Sequence, residues 1–270
     1  MDSNNSQSVV LITGASNGLG KALAAVYAKA GHNLLLTGRD ASALQETVAL
    51  AEAAGVIVFS IVQDFSASDA VDKIITFIES KHLNIAVLIN NAGLGSHSNF
   101  AHLPEEEARM LLAVNIQSLV LLTNRIVPMM LLKKQGSIVN IASVYAYASI
   151  PGQVLYAASK AFVKSFSLGL SFDLKRYGIH VSCICPGSTT QTKFRKRIGL
   201  QVDIKRFSAP AEVIAERIYI ALKKSPRVYI PLWYNKFFVF LMQCTPAVFM
   251  ANVGAFVVYR LRKTKEISRE

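Results

Sequence analysis

Short apolar runs and helical stretches take turns along the chain from Ser8 to Gly187. "SVVLITG", "HNLLLTGR", "VIVFSIVQD", "IAVLINNAG", "GSIVNIAS" and "IHVSCICPG" read as strands, and the segments between them have helical periodicity. Strand and helix in alternation imply a parallel sheet joined by right-handed crossovers. The strand runs are continuous in Val, Ile and Leu, as suits strands covered by helices on both faces. The predicted fold class is α/β, a doubly wound parallel sheet of about seven strands over residues 1–230, followed by an apolar, basic-ended extension over 231–270. "SASDAVDKIITFIESKH" opens with Ser and Asp, both good cap residues. "PEEEARMLLAVNIQSLVLLTNRIVPMMLLKKQ" reads as one long helix, with Pro at its start and acids in its first turn.

Hydrophobic residues make up 52% of the chain and charged ones 17%, with mean hydropathy +0.35. Such a balance fits a sheet buried on both faces, a membrane contact, or both. Three cysteines, Cys183, Cys185 and Cys244, cannot make a disulfide framework, and no His or Cys clusters with them, so no metal site is expected. The polar start "MDSNNSQS" is not a signal peptide, which predicts a cytoplasmic catalytic domain. The net charge of +12 suits anionic partners. There is no zinc finger, RRM-type or helix-turn-helix signature, so nucleic acid is not expected.

Two turns carry chemistry. The first strand ends in "TGASNGLG", where Gly14, Gly18 and Gly20 let backbone N–H groups approach a pyrophosphate at a helix N-terminus. Ser16, Asn17 and Leu19 complete this candidate cofactor turn. The second strand ends in "TGRD". Gly38 stands where NAD-specific folds place an acid, and Arg39 follows, a guanidinium suited to a 2′-phosphate. Lys21 adds positive charge. The pattern favours NADP(H); the competing reading gives the ribose to Asp40. Three Tyr-x-x-x-Lys pairs, Tyr156/Lys160, Tyr219/Lys223 and Tyr259/Lys263, each lie on one helix face, so spacing alone selects none of them.

Context does select one. "TGASNGLG", "NNAG" (Asn90 to Gly93), Asn115 in "AVN", Ser143, "YAASK" and "PG" (Pro186, Gly187) occur in the order of the short-chain dehydrogenase/reductase family, which the chain resembles over roughly residues 8 to 230. The resemblance implies a Rossmann-type domain binding NADP(H) and a catalytic set Asn115, Ser143, Tyr156 and Lys160. Tyr156 would exchange the proton, with its anion stabilised by Lys160, and Ser143 would hold the substrate oxygen. Lys160 would also hold the nicotinamide ribose, and Asn115 would shape its helix and position a water linked to Lys160. Asp64 would meet the adenine edge. Asn91, Ala92 and Gly93 would line the adenosine ribose, and Pro186, Gly187 and Thr189 would close over the nicotinamide. "PGSTTQTKF" has one residue more than the motif of the lipid-active members, which leaves Thr190 and Thr192 open for its later role. Members often dimerise through two long helices, here near 105–134 and 154–177.

Substrate recognition falls to the basic, apolar loop "TKFRKRIGLQVDIKRF" and to the extension. Phe237 to Tyr259 carry no charge, but Gln243, Pro246, Asn252 and Gly254 interrupt the run. Trp233, Tyr234 and Lys236 before it, and Tyr259 and Arg260 after it, resemble interfacial anchors. A monotopic hairpin broken at Pro246, a single tail anchor and an apolar flap or dimer contact all fit, with 231–265 as the membrane-contacting part. The function expected is NADPH-dependent reduction of a hydrophobic ketone (3-ketoacyl, sphingoid or steroid-like) at a membrane surface. The alternatives are an alcohol dehydrogenase working oxidatively and a non-catalytic NADPH-binding scaffold.

Overall fold

Val9 to Thr13 are buried without interruption in β1 (Ser8–Thr13), and so is all of β2 (Leu34–Gly38). Strands of this kind belong inside a parallel sheet. The computed structural model describes residues 7–96, 99–190, 208–246 and 248–256. β3 (Val58–Val62), β4 (Asn84–Asn90), β5 (Gly136–Ile141) and β6 (Ile179–Ile184) follow, and β7 (Ser188–Thr189) pairs separately with β8 (Ser208–Ala209). With β9 (Val228–Tyr229) the main sheet is seven-stranded and parallel, in the order β3-β2-β1-β4-β5-β6-β9. The predicted fold class is the observed one.

Successive strand residues go to opposite faces. Ile12, Leu34, Leu36 and Ile89 enter the core under α1 (Gly18–Lys29), α2 (Ala41–Glu52) and α7 (Ala211–Leu222). Leu11, Leu35 and Leu88 enter the core under α3 (Ala70–Ser80), α5 (Ser118–Lys133) and α6 (Val154–Lys175). A buried polar line crosses the second face. Asn90 Nδ2 donates to Asn140 Oδ1 (2.8 Å) and to Thr123 Oγ1 (3.0 Å), and Asn140 Nδ2 donates to Ser167 Oγ (2.9 Å).

Two local expectations are corrected. Asp69 precedes α3 but makes no cap hydrogen bond; its carboxylate pairs with Lys73 at 2.8 Å. The long helix starts as predicted, with Pro104 before α4 (Glu105–Leu112) and Glu105, Glu106 and Glu107 in its first turn. It then widens into a π turn, Ala113–Gln117, before α5. Among the described residues, Glu105–Lys133 is the one helix long and apolar enough to cross a membrane, and its inner face lies in the protein core.

The extension folds as α8 (Trp233–Cys244), an extended Thr245 and Pro246, and a second helical stretch over 248–256. Twelve residues of helix span about 18 Å, against a hydrocarbon core of about 30 Å. Its outward side leaves Trp233, Phe237, Phe240 and Leu241 exposed, and Val248, Phe249 and Phe256 continue the apolar surface. Its inner side packs on the short helix Val144–Tyr147. In the second stretch, a Cβ on Gly254 would touch Pro151 Cδ at 3.6 Å. Arg260, Arg262, Lys263 and Lys265 lie outside the described residues, as does the loop 192–207.

Candidate active site

The strand order reverses between β1 and β4, and the carboxyl ends of β1 to β6 open there into a cavity of about 260 Å³. Open α/β sheets place their ligand at this point.

At one end the chain is tightly stitched. Thr13 Oγ1 accepts from the N–H groups of Asn91 (2.9 Å) and Ala92 (3.0 Å). Asn91 Nδ2 donates to Thr13 O (2.9 Å) and Gly14 O (3.2 Å). A Cβ on Gly20 would collide with Gly14 O and Asn91 Nδ2, so only glycine lets α1 begin here. No side chain caps α1, and Ser16, Asn17, Gly18 and Leu19 line the cavity. Bare N–H groups at the positive end of a helix suit a pyrophosphate.

Beside this turn stand Gly38, Arg39, Asp40, Gln63, Asp64 and Phe65. Asp40 Oδ1 accepts from Ala43 N (3.1 Å) and caps α2, which argues against its reading as the ribose acid. Arg39 is half-exposed at the rim, with Nη1 4.0 Å from Asp64 Oδ2. Burial works to raise the Asp64 carboxyl, but hydrogen bonds from Ser66 N and Oγ, and Arg39 beside it, hold it below its ordinary value. Lys21 pairs instead with Glu46 at 3.1 Å, so its charge is matched away from the cavity lining.

The other end holds the chemistry. Ser143 follows β5 and accepts from Tyr145 N at 3.2 Å. Its side chain is hydrogen-bonded to Tyr156 on the first turn of α6, and the Tyr145 ring packs edge-on to Tyr156 at 5.9 Å. One turn on, Lys160 Nζ donates to Ile141 O (2.8 Å) and lies 5.9 Å from the Tyr156 ring centroid. Burial pulls the Lys160 ammonium down to about 8, opposed by Cys183 and Cys185. Burial also pushes the Tyr156 phenol up, and the bond to Ser143 only partly opposes it. In the protein alone, desolvation outweighs the bond from Ser143, and the neighbouring Tyr145 adds to the rise.

Asn115 sits in the π turn, 1% exposed. Its Oδ1 accepts from Leu94 N (2.7 Å), and its Nδ2 donates to Leu94 O (2.9 Å) and Ser159 Oγ (3.0 Å). It thus clamps the "NNAG" loop to α6 from behind the cavity. The expected site residues Gly14, Ser16, Asn17, Gly18, Leu19, Arg39, Asp64, Asn91, Ala92, Gly93, Ser143, Tyr156, Lys160, Pro186, Gly187 and Thr189 all line it, while Gly20 and Asn115 lie behind it. Thr190 N bonds Ala209 O (3.0 Å); Thr192 lies outside the described residues. The rival pair Tyr219/Lys223 groups with Tyr27 and His32 around a different cavity, and Tyr259/Lys263 is outside the described residues. Gln63, Phe65, Leu94, Val114, Ile141 and Ala142 also line the site. Nothing in their type distinguishes them in the sequence from other strand-end residues.

The lining fits NADP(H): an uncapped helix start for the pyrophosphate, a rim guanidinium for the extra phosphate, and a Tyr/Lys/Ser group at the far end. Fold and site together define a nicotinamide-dependent oxidoreductase on a doubly wound sheet. The chain belongs to the short chain dehydrogenase family, whose model matches residues 8–203. It is 30% identical over 227 residues to the 3-oxoacyl-(acyl-carrier-protein) reductase of Thermotoga maritima, covering 82% of this chain and 92% of that one. It is 32% identical over 187 residues to an NADP-dependent 3-hydroxy acid dehydrogenase of Escherichia coli, covering 69% and 74%. Similar solved structures include two that bear on cofactor or substrate. One is a short-chain dehydrogenase from Sphingobium yanoikuyae in complex with NADPH (TM-score 0.78, 30% identity, 84% and 88% covered). The other is a bulky-bulky ketone specific alcohol dehydrogenase from Comamonas testosteroni (TM-score 0.74, 28% identity, 90% and 92% covered).

Proposed function

We propose that this oxidoreductase reduces a bulky apolar ketone with NADPH at a membrane surface. One observation carries the reading. α8, whose outer face exposes Trp233, Phe237, Phe240 and Leu241, packs by its inner face on the segment that follows Ser143. One element then carries the apolar surface on one side and holds the segment next to Ser143 on the other. Exposed apolar area of this kind marks an interaction surface, and a short helix with an apolar outer face suits the interface of a bilayer. Relatives named for 3-oxoacyl and bulky ketone substrates support the substrate class. α5 and α6 expose Leu121 and Phe172, a surface for a second copy of the chain.

In this reading the turn from Gly14 to Gly20 holds the pyrophosphate, Arg39 the 2′-phosphate and Asp64 the adenine edge. Asn91, Ala92 and Gly93 take the ribose, and Pro186, Gly187 and Thr189 the nicotinamide. Bound NADPH would supply the hydride. Tyr156 gives its phenolic proton to the carbonyl oxygen, and Ser143 Oγ donates a hydrogen bond to the same oxygen as its charge grows. Lys160, cationic below about pH 8, steadies the phenolate left behind and holds the ribose hydroxyls. Asn115 keeps α6 and the Leu94 loop in register.

NADPH oxidation against 3-ketoacyl, sphingoid, retinoid and steroid carbonyls, with and without anionic phosphatidylglycerol vesicles, tests the proposal. Turnover of an apolar ketone, stimulated by vesicles, is expected. Turnover confined to small polar carbonyls would overturn the substrate class, and indifference to vesicles would overturn the membrane contact.

A further inference from the structure

Asn235 is a polar residue buried in the inner face of α8, 6% exposed, and its Nδ2 has no hydrogen-bond partner. The helix around it is mostly apolar, so a dry amide is a cost that Val or Leu would avoid. The amide lies flat against Gly187: a Cβ there would collide with Nδ2 and stand 2.7 Å from Cγ and 2.8 Å from Oδ1. The missing side chain of Gly187 is therefore the seat of the Asn235 amide. Gly187 lines the cavity with Pro186 and Thr189. The same turn is tied to the other wall, because Pro186 O accepts from Val144 N (3.0 Å), next to Ser143.

We propose that Asn235 is a positioning residue for hydride transfer. Its amide fixes the Pro186–Gly187 turn, and through the Val144–Pro186 bond it fixes Ser143, so that α8 sets the geometry of the reacting end of the site. The proposal rests on the reading of Pro186 to Thr189 as the nicotinamide wall. It does not depend on the membrane contact.

The test uses the full chain with Asn235→Leu, which fills the space without the amide, and Asn235→Ala in case the larger side chain prevents folding. With melting temperature near that of the parent, kcat is expected to fall by about ten- to a hundredfold, as small misplacements of reacting groups do. NADPH affinity is expected to fall too, while KM for the ketone changes little. Gly187→Ala alone should lose NADPH binding, and Asn235→Ala should restore part of it. Parent-like kcat and NADPH affinity in Asn235→Leu, or strictly additive losses in the double variant, overturn the proposal. Unchanged NADPH affinity in Gly187→Ala instead overturns the nicotinamide-wall reading, and the proposal with it.

Discussion

Lys160 Nζ gives its hydrogen bond to Ile141 O at 2.8 Å while standing 5.9 Å from the centroid of the Tyr156 ring. The ammonium is held beside the phenol by β5, in surroundings dry enough to bring it down to about 8. Its charge is present below that value and lost above it. The rate of NADPH-dependent reduction at low substrate is expected to be level up to about pH 8 and to fall at higher pH. A pH–rate profile checks this, and the falling limb should vanish in Lys160→Arg, which keeps its charge.

The same burial has a stability sign. The folded lysine releases its proton near 8, below its ordinary 10.5, so the unfolded chain binds more protons in between. Stability then rises with pH through that window, by a few kcal/mol at most. Denaturant unfolding from pH 7.5 to 10.5 should show a steeper rise in the parent than in Lys160→Met, which cannot titrate.

Tyr156→Phe keeps the ring packed against Tyr145 but removes the proton. Turnover should fall by about a thousandfold with NADPH affinity little changed. Ser143→Ala should cost about a hundredfold, and single-turnover kinetics would separate both losses from binding.

Arg39 and Lys160 are the two basic residues lining the cavity among the described residues. Arg39→Ala should weaken NADPH by about ten- to a hundredfold, the range of a charge-assisted hydrogen bond, and leave NADH nearly unaffected. Fluorescence titration with each nucleotide checks the difference.

Gly20→Ala puts a methyl group into Gly14 O and the Asn91 amide. A stability loss of about 1–3 kcal/mol is expected from the overpacking, with cofactor affinity lost alongside it. Thermal unfolding with and without NADPH would show both.

Much of this was legible because the pattern was local. Leu34, Leu35 and Leu36 are apolar in succession, and both faces of their strand are in fact covered. Gly14 to Gly20 and Tyr156 to Lys160 carry their chemistry within single turns. The π turn at Asn115 was not legible, because its residues satisfy an α-helical pattern equally well. β3 reads like its neighbours, yet it is an edge strand with Val62 exposed, and sheet order is not written in a strand's own residues. β9 has two residues, too few to show any period. Asn235 was not legible, because its seat on Gly187 joins positions far apart in the chain.

The line of amides from Asn90 to Asn140 and on to Ser167 has a bearing on how the chain finds its shape. Asn90 and Asn140 are register partners on β4 and β5. Sliding one strand by a single position would set a buried carboxamide against a branched hydrocarbon and leave it thirsty. Greasy strands forgive misalignment; these two carry a key that fits one notch. That notch lies directly beneath the cleft, where an error of alignment would do the most harm.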